Sequence, residues 1–456
     1  MHAVFGAEIT LYNPTNEILQ WCRKNLWVTN PEFVSRKRMN KWLGNTPEKL
    51  MLYKRVDGNI ILPAGLRSSF SKIPFTETYP NVRRWKPQKP KNYSTAGSYS
   101  YQAGATKAMV ESKYGGTLLA KASAGKTSIA LAAVGQLGAK TLWIADTLDL
   151  ISQAKNRFIQ FYGKEGVGVT TGGKIDIGKK ITFATLQTLA KIPLENYTNE
   201  WECVIVDEVQ IVSGSPTKTT MAQSVLSKLN ARLKYGLTAT YHRSDGMEKC
   251  IWSLIGDIIH EVPESATAKT TMTPTIRRID TNLEPSDDYL DTDGTLMWAR
   301  LINYVALDDE RNRQIAYDIE HAGNSILVLS DRKEQLERIY ENLTDKRFAK
   351  IITGSTSKKV REQGIQDMRD GKLRIMLSTF SMSKKGLDIP RLDTLALASP
   401  NKDYALITQA VGRSQRVFPQ KTQALVLDYV DKNIRYLDRM YKKRCTHYNK
   451  LKAVYE

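Results

Sequence analysis

A small-residue loop ahead of a helical pattern contains the residues best suited to bind phosphate. The stretch TLLAKASAGKTSIALAAVG runs from a strand-like segment through Ala and Ser into an Ala- and Leu-rich helix pattern. Backbone N–H groups of such a loop and of the helix start carry partial positive charge toward phosphate. Lys126 would then reach the β- and γ-phosphates of a nucleotide, and the Thr127 hydroxyl would hold Mg²⁺. The alternative is an ordinary helix start with an incidental lysine, since Ala120 stands where the strict GxxxxGK[ST] pattern has its first Gly.

The stretch CVIVDEVQ places two carboxylates directly after an apolar strand. Asp207 would hold the metal through its water shell, and Glu208 would orient and deprotonate the attacking water. The alternative is a strand that ends in a charged turn. Together with the phosphate loop in the same α/β region, the pair predicts an ATPase that uses Mg²⁺.

Short β-rich runs alternate with helical patterns in two consecutive regions, residues 92–268 and 269–430. Buried strands that alternate with helices predict parallel sheets in α/β units. The predicted fold class is therefore α/β, with two tandem parallel-sheet domains. The runs of the first region are TLWIAD, KITFAT, CVIVDE and YGLTAT, and those of the second are SILVLS, AKIITG, LRIMLST, TLALAS and ALVLDY.

The two ends of the chain differ from this alternating middle. Residues 1–91 contain short aromatic and apolar runs broken by Asn, Gly and Pro, which indicate a small α+β accessory domain. The basic stretch RRWKPQKPKNYSTAGS then has the composition of a linker. Residues 431–456 predict a basic C-terminal helix, which either packs on the second α/β domain or grips duplex.

The charge of the chain is concentrated at these two ends. The net charge is +20, residues 1–100 contain 16 Lys and Arg against 6 Asp and Glu, and residues 431–456 contain 8 against 3. Such a distribution favours a polyanionic partner, although charge for solubility is the alternative.

One stretch of the accessory domain combines cations with aromatic rings. Cations that meet phosphate and rings that stack on bases suit a nucleic-acid surface, and a half-basic structural domain is the alternative. The residues concerned are Arg36, Lys37, Arg38, Lys41, Trp42 and Tyr53.

Several classes of protein are disfavoured by composition. The four cysteines are scattered without a CxxC pair, which argues against a structural zinc site and a disulfide framework. The longest nearly apolar run, residues 129–139, is far shorter than the about 20 residues that cross a bilayer. The N-terminus has no basic region followed by an apolar core, unlike a secretion signal. We therefore expect an intracellular, cytoplasmic protein with no membrane partner.

These stretches resemble the motifs of superfamily 2 helicases and translocases, and they occur along the chain in the same order. The first motif of that family, AxxGxGKT, fits the loop with Ser123 in place of the middle Gly, and VIVDEVQ resembles the DExx box. GLTATYHRSDG resembles the third motif, which implies that Thr238 and Thr240 couple hydrolysis to domain motion. Gln102 resembles the adenine-reading glutamine, and a plain surface Gln is the alternative. The resemblance implies nucleotide contacts from Gln102, Ser123, Ala124, Gly125, Lys126 and Thr127.

The second region supplies the remaining motifs of the resemblance. LSTFSMSKKGLDIP is similar to the fifth motif, with Thr379, Gly386 and Asp388 at its characteristic places. ITQAVGRSQRVFPQK matches QxxGRxxR with Gln409, Gly412, Arg413 and Arg416. The resemblance implies two RecA-like domains that close on ATP, with nucleotide contacts from Gly386, Asp388 and Gln409 in the second. Arg416 would be the arginine finger with Arg413 beside it, because guanidinium groups offset charge that develops on a γ-phosphate.

By the same resemblance, nucleic acid contacts both domains opposite the ATP cleft. Short polar side chains there suit phosphate and sugar contacts. Each of them could instead be a capping or turn residue. The matching positions are Thr147, Thr185, Gln187, Arg332 and Thr379.

The resemblance implies a motor that acts on nucleic acid. The accessory domain looks similar to the N-terminal modules of phage recombination helicases of the UvsW type, which remodel branched DNA. We expect a monomeric, ATP-dependent DNA helicase or translocase acting on forked or branched DNA in replication, recombination or repair. The alternatives are an RNA helicase, or a duplex DNA translocase or clamp that does not separate strands.

Overall fold

The computed structural model describes residues 1–456 except 122–123, 214–215, 242–246, 268–270, 385–386, 388 and 402. The chain forms two compact units, Met1–Thr267 and Ala268–Glu456. No helix in the described part of the chain is both long and apolar enough to cross a membrane.

The first unit begins with a small α+β module. Its five-stranded sheet has the order β5-β6-β2-β1-β7, and β3 pairs separately with β4. The alternating burial of β2 and β6 places Ile9, Leu11, Ile60 and Leu62 in the module's core. The elements are β1 (His2–Phe5), β2 (Glu8–Tyr12), α1 (Asn16–Asn25), β3 (Trp27–Thr29), α2 (Pro31–Arg38), β4 (Lys49–Met51), β5 (Lys54–Val56), β6 (Asn59–Pro63), α3 (Arg67–Phe70) and β7 (Phe75–Glu77).

A seven-stranded, all-parallel sheet follows in the same unit, with the order β10-β11-β9-β12-β13-β8-β14. Each central strand is buried along its whole length, and an apolar cluster covers each face of the sheet. The elements are α4 (Tyr101–Glu111), β8 (Gly115–Leu119), α5 (Lys126–Leu137), β9 (Thr141–Ala145), α6 (Leu148–Tyr162), β10 (Val167–Thr170), β11 (Ile181–Thr185), α7 (Leu186–Leu189), β12 (Cys203–Asp207), α8 (Pro216–Leu226), β13 (Leu233–Thr238), α9 (Glu248–Ile255), β14 (Ile258–Glu261) and α10 (Glu264–Thr267).

The second unit contains another seven-stranded parallel sheet, with the order β17-β18-β16-β19-β20-β15-β21. The prediction of two consecutive parallel-sheet domains is thus confirmed. The elements are β15 (Thr275–Asp280), α11 (Trp298–Leu307), α12 (Asp309–Ala322), β16 (Ile326–Ser330), α13 (Lys333–Glu341), β17 (Ala349–Ile352), α14 (Lys358–Asp370), β18 (Ile375–Thr379), α15 (Phe380–Lys384), β19 (Thr394–Leu397), α16 (Tyr404–Ser414), β20 (Leu425–Val430), α17 (Arg435–Lys450) and β21 (Val454–Tyr455).

The C-terminal segment is integrated into the second unit. α17 buries Leu437, Tyr441 and Tyr448, and its buried Arg444 donates two hydrogen bonds to the Asp428 carboxylate of β20. After the helix, β21 pairs in parallel with β15. Of the two alternatives for this helix, the contacts support packing on the second domain. The segment ends in β21, which was not predicted because a strand of two residues leaves no pattern in the sequence.

The stretch with linker composition lies along the first α/β domain. The Trp85 ring packs edge-on against Phe158 and Tyr162, and its Nε1 donates to the Ala139 carbonyl at 3.0 Å. Arg84 forms a two-pronged ion pair with Glu202. Residues 84–91 therefore act as a strap that joins the module to the sheet domain.

The apolar core of the module includes residues of the sheet domain. Met247 and Cys250, near and within α9, are buried in the same cluster as Phe5, Leu26 and Phe70. This junction fixes the module on the domain that contains the phosphate loop.

Candidate active site

The phosphate loop is tied to the preceding helix α4. Gly125 has a φ of +77°, a left-handed conformation that favours glycine, and α5 begins at the next residue. The Ala124 carbonyl accepts hydrogen bonds from Gln102 Nε2 at 3.1 Å and from Tyr101 Oη at 3.2 Å. A Cβ added to Gly125 would lie 2.6 Å from Gln102 Nε2. Gln102 is thus placed at the loop, and Ser123 lies outside the described residues.

Lys126 lies at the buried side of this loop. Its Nζ donates to the Ala120 carbonyl at 3.2 Å and lies 3.9 Å from Glu208 Oε1. The lysine side chain is 5% exposed. Thr127 follows on α5 and is partly exposed. The loop and the acidic pair, 80 residues apart in sequence, therefore meet at one point.

The acidic pair lies at the carboxyl end of β12. Parallel pairing of β12 with β13, and of β13 with β8, brings this end beside the ends of the two neighbouring strands. Asp207 is buried, and Glu208 has a φ of +50°, which is uncommon for a residue with a side chain. Burial and the neighbouring Glu208 raise the pKa of Asp207 to about 7, and Lys126 offsets part of this effect.

Gln210 connects the acidic pair to the third motif. Its Nε2 donates to Glu208 Oε2 at 2.7 Å, and its Oε1 accepts from the Thr238 hydroxyl at 2.7 Å. The same hydroxyl accepts from the Thr240 backbone N–H at 3.0 Å. Sequence reasoning gave Gln210 no role, although it is the last letter of the DEVQ stretch. Lys126, Glu208, Gln210, Thr238 and Thr240 form one connected array.

The donor set of this array fits a nucleotide bound with Mg²⁺. The loop offers backbone N–H groups and a buried lysine, which suit phosphate oxygens. Asp207 is a buried carboxyl whose pKa is raised by burial and by the neighbouring Glu208, and a divalent cation would supply the positive charge that favours its ionised form. Thr127 and Asp207 are the residues that would hold the metal.

The arginine motif lies in the second unit. Arg413 is on α16 and donates through Nη1 to the Leu387 carbonyl. Arg416 follows the helix, and its backbone bridges Thr271. Gly386 and Asp388 lie outside the described residues, and so does the side chain of Gln409. The role of both arginines toward ATP stays a prediction.

The predicted nucleic-acid contacts of the first α/β domain follow strand ends. Thr147 and Thr185 cap α6 and α7, where their hydroxyls accept from backbone N–H groups. Gln187 Nε2 donates to Asp146 Oδ1 at 2.6 Å. The capping alternative therefore holds for both threonines, and their contact with nucleic acid stays a prediction.

The two contacts predicted for the second unit also follow parallel strands. Arg332 lies just after β16, where its Nε donates to Asn303 Oδ1 at 2.6 Å. Thr379 ends β18, and its hydroxyl lies 2.9 Å from that of Ser381. Because β16 pairs in parallel with β18, Arg332 and Thr379 lie at the same edge of the sheet.

Trp42 and the basic residues of this stretch lie on and just after α2, whereas Tyr53 is buried in the core of the module and offers no exposed ring. Lys37, Arg38 and Lys41 are exposed, and Trp42 is 85% exposed. Arg36 is held instead by Glu32, whose Oε1 accepts from its Nε at 2.9 Å and its Nη2 at 2.7 Å. Arg36 thus differs from its neighbours in being engaged within the module.

Two family models match the chain in the order of its α/β domains. The model for the type III restriction enzyme, res subunit, matches residues 96–243, and the helicase conserved C-terminal domain matches residues 310–418. The first range contains the array from Lys126 to Thr240. The second contains Arg332, Thr379 and both arginines of the QxxGRxxR match.

Individual relatives are similar over most of this chain. A protein of Acanthamoeba polyphaga mimivirus named as an ATP-dependent RNA helicase is 25% identical over 346 residues, which are 74% of this chain and 64% of that protein. This chain therefore spans less than two thirds of the mimivirus protein. The DNA 3'-5' translocase XPB2 of Sulfurisphaera tokodaii is 29% identical over 374 residues, which are 73% of this chain and 81% of that protein.

A solved structure shares the fold. Dbp5 of S. cerevisiae, bound to RNA and ADP BeF3, aligns with 78% of this chain and 89% of its own chain with a TM-score of 0.57 and 12% identity. The prediction of a tandem α/β, RecA-like architecture is thus confirmed.

Proposed function

We propose that this chain, a member of superfamily 2 of helicases and translocases, is a motor that hydrolyses ATP and moves along DNA. The observation that carries the proposal is the connected array at the carboxyl edge of the first α/β sheet. Lys126 lies there close to two carboxyl groups, and Gln210 is hydrogen-bonded to Thr238. The phosphate loop beside them ends in Gly125, which has a left-handed backbone conformation and directly precedes α5. Phosphoryl transfer requires positioning and charge stabilisation, and these are what such an array offers.

Each side chain of the array has a task that follows from its chemistry. Lys126 would move from loop carbonyls to phosphate oxygens, and Glu208 would accept a proton from the attacking water. Gln210 holds the second oxygen of Glu208, so that the carboxylate keeps one orientation. Mg²⁺ held by Thr127 and Asp207 would supply positive charge to the phosphates. Arg413 and Arg416 would offset charge that develops as the γ-phosphate leaves.

The array also offers a route from hydrolysis to movement. Glu208, Gln210 and Thr238 are joined by hydrogen bonds of 2.7 Å, so a shift of the carboxylate is passed to the end of β13. ATP binding that draws the two domains together, and hydrolysis that releases them, would then step the protein along a strand.

DNA is the polynucleotide that we propose as the track. The basic accessory module, the DEVQ box and the named activity of the XPB2 relative support DNA. An RNA helicase is the second candidate, favoured by the name of the mimivirus relative. A duplex translocase or clamp that leaves strands paired is the third.

We further propose forked or branched DNA as the preferred substrate, with a monomer as the acting form and the cytoplasm as its location. The exposed cations and Trp42 of the module are the features that support a junction, because cations suit paired arms and a ring suits unpaired bases.

Two variants test hydrolysis. Glu208→Gln and Lys126→Ala should lower turnover of ATP at least about 100-fold while DNA binding persists. The first variant removes the general base, and the second removes the lysine contact to phosphate. The matched control is Glu165→Gln, an exposed glutamate outside the array. The measurement is phosphate release with single strand, duplex, fork, four-way junction or RNA as activator. Near-normal turnover by Glu208→Gln would contradict the assignment, and stimulation by RNA alone would favour the second candidate.

A further inference from the structure

An exposed tryptophan borders a cavity where the accessory module meets α8 of the first α/β domain. We propose that Trp42 stacks on an unpaired nucleobase and that the neighbouring cavity receives the nucleotide that follows it. This rests on the proposed function only in taking a polynucleotide as substrate, and it assigns the module the single-stranded part of a junction.

The Trp42 ring is held in place by its own loop. Gly44 has a φ of +49°, and a Cβ added there would lie 2.8 to 3.2 Å from three atoms of the Trp42 ring. The six-membered part of the ring therefore lies against the glycine, while the side chain as a whole stays 85% exposed. Glycine is required at this position for its backbone conformation and for its lack of a side chain.

Arg36 fixes the backbone of the same loop. Its Nη1 donates to the Trp42 carbonyl at 3.2 Å, while Nε and Nη2 hold the Glu32 carboxylate. The Lys41 backbone N–H donates to the Arg36 carbonyl at 2.9 Å. The ring is thus presented on an ordered turn, so that stacking costs little conformational entropy.

The cavity beside the ring has a volume of about 770 Å³. Trp42, Asn45 and Thr46 line it from the module, and Met221 and Ser224 line it from α8. Arg36 and Glu32 also line it, so the surface combines apolar groups with amides, hydroxyls and an ion pair that belongs to the module. A base would find a ring and a thioether for its faces and polar groups for its edge.

The charges around the platform suit the phosphates of the same strand. Lys37, Arg38 and Lys41 are exposed, and none of them forms an ion pair with an acidic residue in the described part of the chain. Cations of this kind bind phosphate without reading sequence and release counterions on binding.

An unpaired base is favoured over duplex as the occupant. In a duplex the faces of each base are covered by neighbouring base pairs, whereas a single strand exposes them. Aromatic rings in single-strand sites stack on successive bases and contribute about 1 to 3 kcal/mol for each base. The Trp42 ring, which lies against Gly44 and is 85% exposed, is available for that contact.

The proposal is tested by measuring DNA binding in the absence of ATP. The probe is a fork with 2-aminopurine in one unpaired arm. Trp42→Ala should weaken binding to the fork by about 5- to 150-fold, which is the fold-change for one stacked base. The quenching of 2-aminopurine should be lost, and blunt duplex should lose less affinity than the fork. Trp42→Tyr should restore quenching and most of the affinity.

Gly44→Ala is the second variant, because it keeps the tryptophan and removes its support. Its added methyl group would displace the ring and should lower quenching as well. Tyr317→Ala, at a residue that is 65% exposed on α12, is the control for loss of a surface ring. Equal loss on fork and duplex, or unchanged quenching by Trp42→Ala, would overturn the stacking site. A protein that quenches the probe through Trp42 but hydrolyses no ATP would overturn the motor and leave this site standing.

Discussion

Asp207 combines a task in the proposed hydrolysis with a cost to the folded protein. Its carboxyl group is buried beside Glu208, and both effects raise its pKa to about 7, whereas an exposed aspartate has a pKa near 4. A group with a raised pKa in the folded state contributes stability that is fully present below the unfolded pKa. That stability is lost as the pH rises through the folded pKa. The nucleotide-free protein therefore becomes less stable between about pH 4 and pH 7.

Asp207→Asn should remove this loss. At pH 8 the variant should be more stable than the parent by at least about 1 kcal/mol, because one pKa unit corresponds to about 1.4 kcal/mol. The melting temperature of the nucleotide-free protein should then rise by about 3 °C. The difference should shrink toward pH 4, and ATP hydrolysis should be lost at every pH. The measurement is thermal unfolding of both proteins from pH 4 to pH 8.

Asp57→Asn is the matched control, since Asp57 is exposed in a turn of the module. A stability difference between Asp207→Asn and the parent that does not change with pH would show that the carboxyl does not titrate in this range.

At the scale of elements, the apolar strands were predictable and the polar ones were not. β9, β11, β12 and β13 are buried along their length, so an uninterrupted apolar run marks them in the sequence. β15 is not among the apolar runs of the second region, yet it lies inside the second sheet. Only Ile276 of its six residues is buried, and the partly or fully exposed residues include Arg277 and Arg278, so no apolar run marks this strand in the sequence.

The residues of the candidate site were predictable from the sequence, but the hydrogen bonds that join them were not. The loop and the acidic pair could be read from spacing because each follows its own strand. The Gln210–Thr238 bond depends on the register of β12 against β13, which pairs Asp207 with Leu237. Both strands are buried at every residue, so neither has the alternating apolar and polar pattern that would set the register from the sequence.

Lys421 is one of the residues that hold the turn after α16. Lys421 Nζ donates to the carbonyls of Ser414 and Arg416, which are among the groups left without helical partners at a helix end. Burial, with a smaller effect from Arg416, lowers the pKa of Lys421 to about 8. We infer that Lys421 positions Arg416 without touching the nucleotide.

Lys421→Met should loosen this turn and lower kcat about tenfold, since misplacement of a group that stabilises the transition state slows the chemical step. The KM for ATP should change little. In the parent, kcat should also fall as the pH rises above about 8, because the charged amine donates stronger hydrogen bonds than the neutral one. Lys421→Met should not show that fall. The measurement is the pH profile of DNA-stimulated hydrolysis.

Lys421→Arg, which keeps the charge, should recover part of the rate, and Lys372→Met removes an exposed lysine as the control. If Lys421→Met and Lys372→Met had the same profile as the parent, Lys421 would have no part in positioning Arg416.

At the scale of the molecule, β13 links the accessory module to the catalytic edge within the first unit. Near its start, the buried Lys234 donates to the Ala7 carbonyl of the module at 3.0 Å and to Leu226 at 2.8 Å. At its end, Thr238 bonds to Gln210. β13, which is buried along its length, thus contacts the module near one end and the catalytic edge at the other, and we expect the two to be coupled through it.

Arg67 closes the same junction from the module side. It is buried, and its guanidinium donates to the carbonyls of Gly6 at 2.8 Å, Ala231 at 3.3 Å and Arg232 at 2.8 Å. It also lies 5.0 Å from the centre of the Tyr79 ring. Burial lowers the pKa of Arg67, and the neighbouring Tyr79, Tyr114 and Glu77 offset part of this effect.

Arg67→Met should therefore loosen the junction, because three buried carbonyls lose their donor at about 1 to 3 kcal/mol for each group left unsatisfied. We expect a lower melting temperature and faster hydrogen exchange in β1 and at the start of β13. Fork binding should weaken as well, since Trp42 belongs to the module, which would no longer be held in a fixed position on the sheet domain. Lys72→Met, at an exposed position soon after α3, is the control. Unchanged exchange in β1 and β13 would contradict the coupling. Fork binding that survives faster exchange would instead mean that the module holds DNA without a fixed position on the domain beside it.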